Sequence, residues 1–169
     1  QERARTQLLN EKLLACPFIE YHQSGYESII DKTYGTNYVN AKGETAYLNI
    51  MYVSPQFFQM FDIDIEEGAI PEKSGRNIYV LNRAAMKALN FSSLEEAAVV
   101  EDNRKRKDAN APMEPIVAVV KDYYNGHLSA GAAPILYNVS GSGGPRHQIA
   151  FLEGKKQDLL NYLKETMKE

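Results

Sequence analysis

Residues Ile116–Tyr124 read Ile-Val-Ala-Val-Val-Lys-Asp-Tyr-Tyr, and Pro134-Ile-Leu-Tyr137 follows shortly after. The first five residues form an unbroken aliphatic run that stops at the charged pair Lys121-Asp122. Such a run is typical of a strand that is buried on both faces of a sheet. We therefore expect a central strand over the aliphatic run and another strand over Pro134–Ser140.

The length and composition are those of one globular domain or of two closely packed subdomains. The chain has 169 residues, of which 44% are hydrophobic and 24% charged, and its formal net charge is −3. This balance argues against a nucleic-acid-binding surface, which is usually basic. The longest aliphatic run is far shorter than the ~20 residues of a membrane span. The single cysteine, Cys16, leaves no internal disulfide or thiolate metal cluster, and its apolar neighbours predict a packed side chain.

Local signals predict the other elements of the first half. We expect a helix ending near Ala15 before Pro17, a strand over Phe18–Gln23, and a hairpin of Tyr34–Ala41 with Thr45–Val53. A short helix capped by Ser54 should follow and carry Phe57, Phe58 and Phe61. Beyond it we expect a half-exposed strand through Ile63 and Ile65, a strand over Ile78–Leu81, and a helix over Arg83–Leu89 capped by Asn82.

The second half is predicted in the same way. The expected elements are a short helix opened by a capping box at Ser92–Glu96, a polar loop or hairpin tip over Glu101–Ala111, a turn at Gly141–Pro145, a partner strand over Gln148–Leu152, and a helix over Lys155–Met167 that buries Leu159, Leu160, Leu163 and Met167. Strands interleaved with short helices and hairpins indicate an α+β fold with a mixed sheet.

Three blocks of the sequence resemble a known family. They are, in chain order, the stretch Val53–Gly68, the strand–helix unit Ile78–Leu89, and the run that ends in Val-Val-Lys-Asp-Tyr with a following proline. The same order is found in the periplasmic core domain of MacB/FtsX-like ABC transporter permeases, which these blocks resemble. The N-terminal segment Leu8–Glu20 resembles the entry into that domain. The resemblance implies a MacB-like core with porter-like βαβ units, formed by 1–59 with 116–169, and an inserted sabre-like subdomain over 60–115, all within one extracytoplasmic domain 1–169.

The resemblance also implies a function and partners. The chain is expected to be a non-catalytic domain, with no cofactor, on the periplasmic side of the inner membrane of a Gram-negative bacterium, joined to flanking transmembrane helices. An ABC ATPase subunit or domain would drive a dimeric permease, and this domain would pass the motion to a periplasmic adaptor, lipoprotein or substrate. The sequence alone leaves one alternative from another class, an extracytoplasmic module that senses a small ligand under its tyrosine and phenylalanine side chains.

Two groups of residues are candidates for a partner surface. Tyrosine combines apolar area with a polar tip, and the early strands are rich in it, so Tyr34, Tyr38 and Tyr47 are the first candidate, against cross-strand packing within the sheet as the simpler interpretation. The block Arg104, Lys105, Arg106 and Lys107 is the second candidate, against a solvated hairpin tip as the simpler interpretation.

Patterns that could carry catalysis or bind metal are weak. His22, His127 and His147 lack the spacing that zinc sites favour, and His127 has only Asp122 and Ser129 nearby for a hydrolase site. The acidic residues Asp62, Asp64 and Glu66 alternate with isoleucines, which indicates the solvent face of a strand. Gly141–Gly144 lacks the Gly-Lys-Ser/Thr of a phosphate-binding loop. The sequence therefore predicts no catalytic, cofactor or metal site.

Overall fold

A computed structural model describes residues 2–25, 34–72, 76–123, 131–140 and 146–166. Five helices and nine strands are described in these ranges. In chain order they are α1 Glu2–Leu14, β1 Ile19–Gly25, β2 Tyr34–Asn40, β3 Thr45–Val53, α2 Phe57–Met60, β4 Ile65–Gly68, β5 Ile78–Asn82, α3 Arg83–Ala88, β6 Ala98–Glu101, α4 Asp102–Lys107, β7 Glu114–Val120, β8 Ile135–Val139, β9 Arg146–Phe151 and α5 Lys156–Thr166. Within these ranges, no helix combines the length and apolar character needed to cross a membrane.

Seven strands form one mixed sheet in the order β4-β7-β5-β8-β3-β2-β6. The pairs β5–β7 and β3–β8 are parallel, whereas the other neighbours are antiparallel. The start of β7 also pairs with β6. This arrangement confirms the predicted α+β class with a mixed sheet. The strands of 60–115 lie in the same sheet as β2, β3 and β8, and the division into two subdomains stays a prediction.

Hydrophobic residues cover both faces of this sheet. On one face, Ala85, Met86 and Leu89 of the α3 region pack on the sheet, which defines the α3-side core. On the other face, Phe57 and Phe58 of α2 pack against Tyr137, which defines the α2-side core. The predicted central strand is confirmed, because Ala118, Val119 and Val120 are fully buried.

A β-bulge in β7 distributes its side chains between the two cores. Tyr79 of β5 is paired with Ile116, but the next residue, Val80, is paired with Ala118, so Val117 is the additional residue. Ile116 therefore points into the α3-side core while Ala118 points into the α2-side core, although both positions are even-numbered. A bulge has this effect because one inserted residue reverses the alternation that follows it.

The two ends of the described chain meet in a separate two-stranded sheet, where β1 pairs antiparallel with β9. The predicted pairing of Gln148–Leu152 with the Pro134 strand is therefore wrong. β1 begins where β9 ends, so the connections to α1 and α5 lie at the same end of this sheet. The two helices are linked directly, since the hydroxyl of Tyr162 donates to the backbone carbonyl of Lys12 at 2.8 Å.

Three other local predictions differ from the structure. Ser54 does not cap α2, because the helix starts after Gln56 and the Ser54 Oγ atom has no hydrogen-bond partner among the described residues. Ser92–Glu96 forms a turn rather than a helix, although the Glu96 carboxylate does accept the Ser92 N–H. In α5, Leu159 is buried as predicted, but Leu160 is 40% exposed. The predicted turn Gly141–Pro145 and Met167 lie outside the described residues.

Candidate functional site

The tyrosines predicted to form a partner surface do not lie together. Tyr34 and Tyr47 are exposed, at 61% and 57%, but Tyr38 is buried at 6%, so the prediction is wrong for Tyr38. Tyr34 lies opposite Ile50, which faces the α3-side core, whereas Tyr47 lies opposite Asn37 on the other face of the hairpin. The two exposed rings therefore point to opposite sides of the sheet and cannot contact one flat partner together.

Tyr38 instead belongs to a group of tyrosines inside the α3-side core. Burial raises the pKa of Tyr38, and its neighbours Tyr79, Glu101 and Tyr52 raise it further. Burial likewise raises the pKa of Tyr79. Both side chains therefore stay protonated at physiological pH.

The basic block lies on a helix, not on a loop. Residues 102–107 form α4, so the prediction of a loop or hairpin tip for Glu101–Ala111 is wrong. Asp102 stands in the first turn and the cations in the last turn, which is the charge arrangement that favours a helix. Two of the four cations have carboxylate partners: Arg106 pairs with Asp102 at 2.6 Å, and Arg104 with Glu114 at 3.5 Å.

Lys105 and Lys107 remain as the cations of α4 for which no ion pair is found among the described residues. No residue of α4 is buried, and the helix lies against β2 and β6. The block is therefore a solvated face with about half of its charge compensated within the chain. Its role as a partner surface stays a prediction.

Two surface grooves are open to solvent rather than enclosed. The larger has a volume of about 570 Å³ and lies between the end of β4, the turn before β6 and the start of β7. Its lining residues are Glu67, Gly68, Ser93, Leu94, Glu95, Ala97, Pro115 and Ile116. The other has a volume of about 320 Å³ and lies beside Tyr79 and Glu114. A buried small-molecule site usually encloses most of its ligand, and neither groove does so.

The polar residues of the recognisable motifs have structural roles. Asn82 is fully buried, and its Oδ1 atom accepts from the N–H groups of Ala85, at 3.0 Å, and Ile135, at 2.9 Å. Its Nδ2 atom donates to the carbonyl of Ala133 at 2.8 Å. The predicted cap is confirmed, and the same side chain also ties β5 to β8.

Asp122 has a comparable role at the end of β7. One of its carboxylate oxygens accepts the N–H of Ala84 at 2.9 Å, in the first turn of α3. A carboxylate is favoured there because the first N–H groups of a helix lack intrahelical partners. Asp122 is thus accounted for by the fold, and the other two residues of the hydrolase hypothesis, His127 and Ser129, lie outside the described residues.

Three of the four acidic residues before and within β4 form ion pairs within the described part of the chain. The strand starts only at Ile65, so Asp62 and Asp64 precede it, contrary to the predicted alternation. Arg83 binds both Glu66 and Glu67, and Lys121 lies 3.7 Å from Asp64. In the part of the chain that the structure describes, no three His, Cys, Asp or Glu side chains are placed to hold a metal ion.

One association that the sequence analysis did not predict involves two of the histidines. His22 of β1 and His147 of β9 lie side by side, with 3.0 Å between His22 Nε2 and His147 Nδ1. They are separated by 125 residues, so only the pairing of the terminal strands could have revealed their contact.

Comparison with known proteins identifies the fold. No protein-family model matches the sequence, and no curated protein matches it. The periplasmic region of MacB from Actinobacillus actinomycetemcomitans matches with a TM-score of 0.62 and 15% identity, over 94% of this chain and 72% of that one. A domain described as part of a permease protein from Porphyromonas gingivalis matches with a TM-score of 0.59 and 12% identity, over 89% and 71%.

A third match comes from Gram-positive bacteria. The extracellular domain of the ABC-type transporter YknZ matches with a TM-score of 0.60 and 9% identity, over 95% of this chain and 76% of that one. The chain therefore has the fold of MacB-like extracytoplasmic domains, which confirms at the level of fold the resemblance stated from the sequence.

Proposed function

We propose that this chain is the extracytoplasmic domain of an ABC transporter permease, and that it relays motion of the membrane part to a partner or substrate outside the membrane. The observation that carries the proposal is the match to permease domains over nearly the whole chain, with 94% and 95% of it covered in two of the comparisons. The cellular location follows from the same analogy: the outer side of the cytoplasmic membrane, which is the periplasmic side of the inner membrane in a Gram-negative bacterium.

The arrangement of the chain ends supports a mechanical role. The connections to α1 and α5 lie at one end of the β1–β9 sheet, and the Tyr162–Lys12 hydrogen bond joins the two helices. Transmembrane segments attached to these helices would thus pull on a single small sheet. That sheet is bonded to the main sheet, since the Gln23 side chain accepts the N–H of Ser54 at 3.0 Å and donates to Gln148 at 2.8 Å.

The role as a non-catalytic domain is supported by the motif residues. Asn82 and Asp122, the polar residues that define the recognisable sequence blocks, hold α3 and β8 in place. Side chains that make such contacts serve the fold rather than a reaction. The ATPase that drives the permease would act through the membrane segments, and the surface of this domain would contact an adaptor, a lipoprotein or the substrate itself.

The sequence of the parent gene tests this proposal against the sensing module. Apolar spans of ~20 residues on both sides of residues 1–169 are expected for the permease. A signal peptide directly upstream, together with a stop codon directly after Glu169, would contradict the permease and favour a secreted module.

The relay itself is tested in the parent permease by replacing residues 1–169 with a flexible Gly/Ser linker. Transport should be lost while ATP hydrolysis by the partner ATPase continues, because the domain is required only for coupling. Unchanged transport by the linker variant would contradict the proposed relay without affecting the assignment to a permease.

A further inference from the structure

The two imidazole rings of His22 and His147 lie edge to edge across the β1–β9 sheet. Their planes differ by 13°, and their centroids are 5.2 Å apart while the nearest nitrogens are 3.0 Å apart. The difference between these distances is about the sum of the two ring radii, so the nitrogens lie close to the line between the centroids. The rings therefore form an in-plane N–H···N hydrogen bond rather than a face-to-face stack.

Only one proton fits between the two nitrogens. A neutral imidazole has one N–H and one acceptor nitrogen, so one ring donates and the other accepts. If both rings became imidazolium, two N–H groups would point at each other across 3.0 Å.

The surroundings of the pair favour its neutral form. His22 is only 7% exposed, and burial together with the nearby His147 lowers the pKa of His22 to about 4. Burial also lowers the pKa of His147. The elements that contact β1 are α1, α2, β3 and β9, and no described acidic group on them offsets these effects on His22. The other titratable groups in the last turn of α1 and on these strands are Glu11, Lys12, Glu20, Tyr21, Tyr47, Tyr52 and Arg146.

The pair lies where it can affect the attachment of both α1 and α5. It lies in the strand pair that leads directly to α1 and α5, one residue along from Gln23, whose side chain donates to Gln148 and accepts the N–H of Ser54. Among the described residues, β1 and β9 form ladder hydrogen bonds only with each other, so loss of this ladder separates the two strands.

We propose that the His22–His147 pair is an acid-sensitive latch that closes the β1–β9 sheet at neutral pH and releases it in acid. In the closed sheet burial disfavours a first proton and the N–H···N contact excludes a second, whereas in the open sheet each histidine takes up a proton at its ordinary pKa of 6.5. Between pH 6.5 and about 4, the open form therefore binds more protons, and falling pH favours opening. The inference concerns the isolated chain and goes beyond the proposed transport role.

Hydrogen exchange of the full chain tests the latch. Amides of β1 and β9 should lose protection by about ten- to hundredfold per pH unit from pH 6.5 towards 4, after correction for the intrinsic exchange rate, because the open sheet binds one to two more protons. Amides of β7 and β8 serve as the internal control, and their protection should change much less. The matched variant is the double substitution His22→Gln with His147→Asn, whose amides keep an N–H···O bond at about the same positions without titrating.

The double variant should show no such pH dependence in β1 and β9. The same loss of protection in the variant as in the native chain would overturn the latch. If the variant does not fold, an NMR titration of His22 in the native chain replaces it. A pKa well below 6.5, with opening of the β1–β9 sheet as the proton binds, supports the proposal. A pKa near 6.5 in the folded chain refutes it.

Discussion

Single buried polar side chains hold this fold at points where several elements meet. Asn82 is the clearest case, because one amide satisfies the cap of α3, the first N–H of β8 and the carbonyl of Ala133. The N–H groups of Ala85 and Ile135 belong to fully buried residues, and such groups are costly to leave unpaired.

The substitution Asn82→Ala should therefore lower the free energy of unfolding by about 3 kcal/mol, since it removes a helix cap and leaves other backbone groups unpaired. Urea denaturation of the full chain measures this change. The control is Asn161→Ala, which alters an exposed side chain of α5 and should change stability by less than about 0.5 kcal/mol. Equal effects of the two substitutions would contradict the role assigned to Asn82.

The histidine pair makes a second prediction for single residues. The pKa of His22 is depressed in the folded chain, to about 4 from 6.5, so its contribution to stability is complete above pH 6.5 and is lost as the pH falls to about 4. The loss should reach at most about 3 kcal/mol. Urea denaturation at pH 7 and pH 4.5 measures it as the difference between the native chain and the variant carrying His22→Gln and His147→Asn. A difference that does not change with pH would contradict this assignment.

Among whole elements, β4 depends most directly on the close approach of two backbones. Gly68 has a φ of +75°, and a Cβ atom there would lie 2.2 Å from the carbonyl oxygen of Val117 on β7. Gly43, in the turn between β2 and β3, has a similar φ of +84°, but nothing lies within 4 Å of its Cβ position. The two glycines share the left-handed conformation and differ only in their surroundings.

Gly68→Ala should thus be clearly more destabilising than Gly43→Ala. The turn substitution should cost about 1–2 kcal/mol for the left-handed conformation alone, and the strand substitution about 1–3 kcal/mol more for overpacking. Thermal or urea unfolding of both variants measures the difference. Costs that agree within error would show that β4 can shift away from β7 without loss.

The elements that the sequence predicted correctly have strong local signals. The aliphatic run of β7, the β2–β3 hairpin and the Asn82 cap of α3 are each determined by neighbouring residues. α4 was missed because it is polar on all sides and buries no residue, so it has no apolar periodicity. Its stability comes from its charge arrangement and its contacts with β2 and β6.

The candidate surface was harder to predict than the fold. Alternation within β2 and β3 determines which tyrosines face the core, but which strand face is covered depends on the distant element α3. The buried Tyr38 and the exposed Tyr34 stand four residues apart on the same strand face, and only tertiary packing separates them. The contact between His22 and His147 likewise follows from the pairing of the chain ends, which no local pattern encodes.

At the scale of the whole molecule, the two sheets have different roles. The seven-stranded sheet carries two hydrophobic cores, and the β1–β9 sheet connects it to α1 and α5. Since the second sheet has only two strands, it is the weaker of the two. We therefore expect pulling on the chain ends, or a lower pH, to open the β1–β9 sheet before the larger sheet.

The most direct test of the proposed role is to locate this domain relative to the membrane in living cells. The parent protein would carry Lys107→Cys, on the exposed surface of α4, in a Cys16→Ala background, since Cys16 is the only cysteine of the chain. A membrane-impermeant maleimide should label it while the cytoplasmic membrane is intact, with a cytoplasmic cysteine of the ATPase as the unlabelled control. Labelling that occurs only after the cytoplasmic membrane is lysed would contradict an extracytoplasmic transporter domain.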